Sequence, residues 1–211
     1  MILYIVSEVN NRLHIVLKRS YYLMIKNVAV YCGSSTGKKP DYTKAAVALG
    51  KWLVDHEYGL VYGGASLGLM GTVADTVLAG KGYVCGVMPE ILADREIAKP
   101  AISEFITVPN MHARKQLMMD KADGFIALPG GCGTMEEIFE VITWSQIGAH
   151  QKPFAFYNVA GYYNHLIDFF NVMEDEGFTN PKHRQDILIS HSLAEIHEHF
   201  SHYQSPGPKE Y

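Results

Sequence analysis

The chain has 211 residues, 48% of them hydrophobic and 19% charged, with a net charge of −4; this is ordinary globular usage and excludes a disordered chain. The mild acidity excludes a broad nucleic-acid surface, because neutralising a phosphate backbone needs clustered Lys and Arg. Cys32, Cys85 and Cys132 are odd in number, far apart and without a CxxC pair, so neither a disulfide framework nor a zinc site is implied and a reducing cytoplasm fits.

No apolar run approaches the ~20 residues that a membrane-spanning helix needs. Glu8, Arg12 and Lys18 interrupt the first 24 residues and no small-residue cleavage site follows, so a signal peptide is not indicated. Residues 2–6 and 13–17 are strand-like, and Asn10-Asn11 could turn a hairpin between them. Alternatively, Met24 is the natural start and residues 1–23 are upstream sequence. From Ile25 onward, short apolar runs alternate with amphipathic segments. The strands are expected at 25–31, 59–62, 83–88, 104–108, 124–128, 153–157 and 186–190. Helices are expected at 41–56, 69–79, 111–122, 135–147 and 162–176. Strands such as VAVY and FIAL are apolar on both faces, as a parallel sheet covered on both sides requires. The expectation is an α/β fold: one Rossmann-like, doubly wound parallel sheet of about seven strands in a single domain over residues 24–203. The tail at 204–211, with Ser205-Pro206-Gly207-Pro208, is expected to fray.

Ligands of such folds bind beyond the carboxyl ends of the strands. After the first strand comes Cys32-Gly33-Ser34-Ser35-Thr36-Gly37-Lys38, which misses a P-loop by one spacer and by Lys39 where Ser or Thr should bind Mg²⁺. It reads equally as a plain turn or as a turn that lets a ligand approach the backbone. After the second strand, Gly63-Gly64-Ala65-Ser66-Leu67-Gly68-Leu69-Met70-Gly71 lacks the GxGxxG spacing of a dinucleotide site.

The fifth strand runs into Leu128-Pro129-Gly130-Gly131-Cys132-Gly133-Thr134-Met135-Glu136-Glu137. A helix opening at Thr134 would offer free N–H groups and a partial positive charge to a phosphate. Thr134-x-x-Glu137 is also a capping box, which needs no ligand. The capping box does not account for three glycines in four positions, so the binding reading is preferred. Arg114 and Lys115 fall in the first turn of another helix, where the dipole disfavours cations; this reads equally as a turn facing an anion or as a solvated basic turn. His183, His191, His197, His199 and His202 are poorly spaced for a metal, since only His199 and His202 share a helix face. Phe139, Trp144, Tyr162, Phe169 and Phe170 read most simply as core or interface.

Taken together, these residues resemble the LOG ("lonely guy") family, the cytokinin riboside 5′-monophosphate phosphoribohydrolases, whose members are often mislabelled lysine decarboxylases. The family's PGGxGTxxE element stands here as Pro129 to Glu137, and its MHxRK element as Met111 to Lys115. The flanking CGSS, YGGxxxGLMG, GVMP, REI and EVITW elements are present as well. The resemblance covers residues 24–202, leaving out the N-terminal extension and departing at the histidine-rich C-terminal segment. It implies hydrolysis of the N-glycosidic bond of a nucleoside 5′-monophosphate, AMP or an N6-modified AMP, to free base and ribose 5-phosphate. It implies Arg114 and Glu137 as the catalytic pair. Glu96, Lys115, Gly131, Gly133, Thr134 and Thr143 match its substrate-contacting positions, with Gly130, Cys132, Met135 and Glu136 in the same stretch also taken as substrate-binding. It implies no metal or organic cofactor, no nucleic-acid or membrane partner, and a cytoplasmic homodimer built on the helix that carries Ile138, Phe139, Ile142 and Trp144. The alternatives are a nucleotide-binding module without turnover, a pyridoxal-phosphate lysine decarboxylase with Lys115 or Lys121 as its Schiff-base lysine, and a protein-interaction domain.

Overall fold

The computed structural model describes residues 25–93 and 102–209. The hairpin expected at 2–17, the alternative start at Met24, and Glu96 lie outside the described residues.

Seven strands form one sheet in the order β4-β3-β2-β1-β5-β6-β7, with every pair parallel. They are β1 (Asn27–Tyr31), β2 (Gly59–Tyr62), β3 (Val84–Pro89), β4 (Glu104–Val108), β5 (Gly124–Ala127), β6 (Phe154–Tyr157) and β7 (Leu188–Ser190). The helices are α1 (Pro40–Asp55), α2 (Gly68–Ala79), α3 (Glu90–Ala93), α4 (Met111–Lys121), α5 (Cys132–Gln146), α6 (Asn164–Asp175), α7 (Pro181–Gln185) and α8 (Leu193–Ser201).

The alternation of side chains along β1 explains why both faces must be apolar. Val28 and Val30 point into one core with Leu49 and Leu53 of α1, Val73 of α2 and Phe200 of α8. Ala29 and Tyr31 point into the other with Met118 of α4, Ile138 and Val141 of α5 and Phe170 of α6. The central strands are buried along their length, whereas β4, at the sheet edge, alternates partly buried and exposed positions. The chain steps outward from β1 to β4 and then returns to β5 on the other side of β1, pairing Val28 with Gly124 and Ala29 with Phe125. The crevice between the loops after β1 and β5 is therefore the topological switch point where such sheets bind ligands.

Several expectations need correction. Helix α5 opens at Cys132, not Thr134; Gly131 is its N-cap, extended at φ −93° and ψ −158°, and no side chain caps it. Thr134 lies buried in the first turn, so the Thr134–Glu137 capping box does not form. The Pro-Gly-Gly turn ends one residue before Cys132 and leaves the helix start to bare backbone. Three helices were not anticipated, although two carry legible caps: Asn180 accepts from the His183 N–H at 2.9 Å, and Ser192 from the Glu195 N–H at 3.3 Å. The described part of the tail, to Lys209, is tied to the domain, since the Lys209 N–H donates to the Gln146 carbonyl at 2.6 Å. On α5, Ile138 and Ile142 are core residues, whereas Phe139, which stacks on Phe170 at 5.6 Å, and Trp144 are only partly buried. Among the described residues no helix is long and apolar enough to cross a membrane.

Candidate functional site

Two lobes of one cleft open at the carboxyl ends of β1, β2 and β5. The first, about 370 Å³, is lined by Cys32, Gly33, Ser34, Met70, Leu92, Met111, Arg114, Gly131, Cys132, Gly133, Thr134, Glu136 and Glu137. The second, about 270 Å³, is lined by Gly33, Ser35, Thr36, Gly37, Tyr42, Leu69, Pro129, Gly130, Gly131 and Tyr162. Gly33 and Gly131 border both. Hydrogen bonds tie the three loops: the Gly33 N–H donates to the Pro129 carbonyl at 3.1 Å, and the Leu69 N–H to the Gly33 carbonyl at 3.1 Å. The turn after β1 thus faces the cleft, which favours its ligand-approach reading.

The glycine loop has a packed side and an open side. A Cβ on Gly130 would stand 2.1 Å from Thr134 Oγ1, so no side chain fits there. Cβ atoms on Gly131 and Gly133 would meet nothing within 4 Å. Open backbone at the first turn of α5 presents unpaired helix N–H groups and the positive end of the helix dipole to the first lobe.

Helix α4 points its own N-terminus at the same lobe, capped by Asn110, which accepts from the Ala113 N–H at 2.9 Å. Its first-turn cations are answered from α5. Arg114, 5% exposed, holds Nη2 3.9 Å from Oε1 of Glu137. Its Nε is buried with no hydrogen-bond partner among the described residues. A buried, unmet guanidinium donor costs free energy unless something polar meets it. Lys115 contacts Glu136 and lies 3.2 Å from Glu140. Burial works to lower the Lys115 pKa, but the bonds to Glu136 and Glu140 prevail and hold it above the ordinary lysine value. The anion expected before Lys115 is therefore supplied from within the chain. Burial and then the nearby Glu137 charge push the Cys32 thiol well above the ordinary range, which disfavours the thiolate.

Of the residues singled out from sequence, Arg114, Gly131, Cys132, Gly133, Thr134, Glu136 and Glu137 meet at the first lobe and Gly130 lines the second. Lys115, Met135 and Thr143 line neither; Met135 packs on the core, and Thr143 is exposed with its hydroxyl donating to the Phe139 carbonyl at 2.7 Å. Sequence reasoning gave no site role to Gly63, against which Arg114 packs, or to Tyr162, which is 43% exposed and bonds the glycine loop. The signal for Tyr162 was its place just after a glycine turn at the carboxyl end of β6. Among the described residues no group of three or more His, Cys, Asp or Glu could hold a metal ion. His197 packs against His56 at 4.2 Å, beside Trp52.

Comparison with known proteins bears on this geometry. The family model described as "Possible lysine decarboxylase" matches residues 70–200. The chain is 48% identical over 179 residues to cytokinin riboside 5′-monophosphate phosphoribohydrolase LOG7 of Arabidopsis thaliana, covering 85% of this chain and 82% of that protein. It is 47% identical over 171 residues to LOG1 of the same plant, covering 81% and 80%. Among solved structures, the molybdenum cofactor binding protein of Rippkaea orientalis superposes with a TM-score of 0.62 at 20% identity, over 83% of this chain and 95% of that one. That likeness concerns the fold alone.

Proposed function

The chain belongs to the LOG family of cytokinin riboside 5′-monophosphate phosphoribohydrolases, and from that premise we propose that it hydrolyses the N-glycosidic bond of AMP-type nucleoside 5′-monophosphates. The observation that carries the reading is the Arg114–Glu137 pair, 3.9 Å apart, beside the open Gly131–Gly133 backbone. The helix N-terminus and Thr134 anchor the 5′-phosphate, and this remote binding energy orients the scissile bond. As the bond between C1′ and the base nitrogen breaks, its electron pair leaves with the base and the sugar becomes oxocarbenium-like. The Glu137 carboxylate stabilises that cation and takes a proton from the attacking water, whose oxygen bonds to C1′. The departing base nitrogen takes up a proton from solvent and Glu137 releases the proton it took from water, so that one water is divided between C1′ and the base and ribose 5-phosphate remains. The Arg114 guanidinium holds the substrate and offsets charge as the base departs. Gly130, Cys132 and Glu136 complete the loop wall, and Glu96, Lys115, Met135 and Thr143 are proposed as substrate-binding on the family resemblance alone.

The decarboxylase description does not fit these residues. A Schiff-base lysine needs a lowered pKa. Lys115 is held above the ordinary value, and Lys121 likewise, chiefly through its hydrogen bonds to Glu104 at 3.0 and 3.1 Å.

We further propose that residues 24–203 act as one domain in a cytoplasmic homodimer that takes neither nucleic acid nor membrane as a partner. Light scattering tests the dimer; an active monomer at micromolar concentration rejects it. The function itself is tested by screening nucleoside 5′-monophosphates for released base and ribose 5-phosphate, with and without added metal. Nucleotide binding without base release would leave only a binding module.

A further inference from the structure

Two adjacent tyrosines hydrogen-bond the chain where β5 runs into the glycine loop. They follow the 3₁₀ turn Val159–Gly161, in which Ala160 and Gly161 both sit in the left-handed region at φ +51° and +72°. A non-glycine residue there is strained, and such strain persists only where surrounding contacts dictate it. Asn158 supplies one, its Oδ1 accepting from the Tyr163 N–H at 2.8 Å. The turn delivers the Tyr163 hydroxyl to the Leu128 carbonyl at 2.6 Å and the Tyr162 hydroxyl to the Gly130 carbonyl at 2.5 Å. Between these two, the Pro129 carbonyl is held by the Gly33 N–H at 3.1 Å.

The Gly130 contact matters most. Its carbonyl shares a planar trans peptide with the Gly131 N–H, so fixing one fixes the other in the opposite direction. That peptide is flanked by two glycines, the residues least able to resist rotation of the plane. Its carbonyl has the Tyr162 hydroxyl as donor, and Tyr162 is itself braced edge-on by Tyr42 at 5.7 Å between ring centres. We propose that Tyr162 is a positioning residue that locks this peptide plane, keeping the Gly131 N–H turned toward a bound phosphate. It rests on the phosphate-anchoring role given above to the glycine loop, and it assigns Tyr162 to phosphate recognition rather than to bond cleavage.

Tyr162→Phe keeps the ring against Tyr42 and removes only the hydroxyl. Losing one hydrogen bond of this kind should weaken phosphate-bearing ligands about threefold to tenfold. The expected result is a KM for AMP raised by that factor with kcat nearly unchanged. Calorimetric affinity for ribose 5-phosphate and inorganic phosphate should fall in parallel, with adenine affinity and thermal midpoint kept. Unchanged phosphate affinity overturns the lock, as does an equal loss toward adenine, which would mark general damage. The binding arm does not need turnover. A wild-type protein that binds ribose 5-phosphate, loses that affinity in Tyr162→Phe and releases no base supports the lock and sinks the hydrolase reading. A wild-type protein that binds no phosphate-bearing ligand sinks both.

Discussion

Gly63 and Arg114 occupy adjoining space with no room for a methyl group: a Cβ at residue 63 would stand 1.9 Å from Arg114 Nη2. Gly63 follows β2 directly, so the strand end that carries the YGG element fixes the height of the guanidinium over the cleft. The clash falls on the far end of a flexible side chain, so Gly63→Ala should move the guanidinium rather than unfold the chain. The expected outcome is a fall in kcat/KM of about tenfold or more with a thermal midpoint close to wild type. Turnover near wild type would show that the placement of Arg114 is not needed.

The open backbone at Gly131 and Gly133 leads to a substrate requirement. If the 5′-phosphate is anchored at the N-terminus of α5, adenosine lacks the binding energy that orients the scissile bond. AMP should exceed adenosine in kcat/KM by roughly 10²-fold or more. Measured side by side at equal concentration, comparable values for the two would remove the phosphate anchor.

The layers of the fold were legible because burial on two faces writes continuous apolar strands, and every expected strand from 25 onward is present within a few residues. The site was legible where chemistry needs a rare local pattern, as in Pro129 to Glu137. It was not legible where backbone alone performs the task. Gly131 caps α5 without a side chain, so the threonine three residues on drew the boundary wrongly. The partners of Lys115 were equally hidden. Glu136 and Glu140 lie on another helix, and only the packing of α4 against α5 brings them to it. The loop contact of Tyr162 was hidden for the same reason: its hydroxyl reaches a carbonyl 32 positions away in sequence.

Asp186 gives a pH-dependent stability. Burial raises its pKa from the ordinary 3.8 to about 6, opposed by the hydrogen bond from Tyr203. The folded value lies above the unfolded one, so the folded state holds more protons between these pH values. The stabilising protonated form is fully present below about pH 4, and its contribution is lost as pH rises through about 6. Asp186→Asn can still accept from Tyr203 and carries no charge. Its thermal midpoint should exceed wild type by about 2 °C at pH 8, a modest figure because the group is only partly buried. The gain should vanish at pH 4. An equal difference at both pH values would assign the effect to packing instead.

The Arg114–Glu137 pair separates a structural from a catalytic role for the carboxylate. Glu137 does not belong to the helix cap, which Gly131 forms, so its loss leaves the start of α5 intact. What Glu137→Gln removes is one charge 3.9 Å from a buried guanidinium. That should cost about 1–2 kcal/mol, less than the ~5–15 kcal/mol that an ordinary domain has in hand. The amide fills the same space without the charge. It cannot take a proton from water or offer charge to an oxocarbenium-like sugar, so kcat should fall roughly 10²-fold or more. Nucleotide binding should survive if the phosphate is anchored, as proposed, at Gly131–Thr134. Arg114→Ala should lose both turnover and part of the binding if, as proposed above, the guanidinium holds substrate as well as facing Glu137. Thermal midpoint, AMP affinity and adenine release, measured for both variants, distinguish these outcomes. If Glu137→Gln keeps near wild-type adenine release, Glu137 serves only to balance the charge of Arg114, and the hydrolysis must use another base.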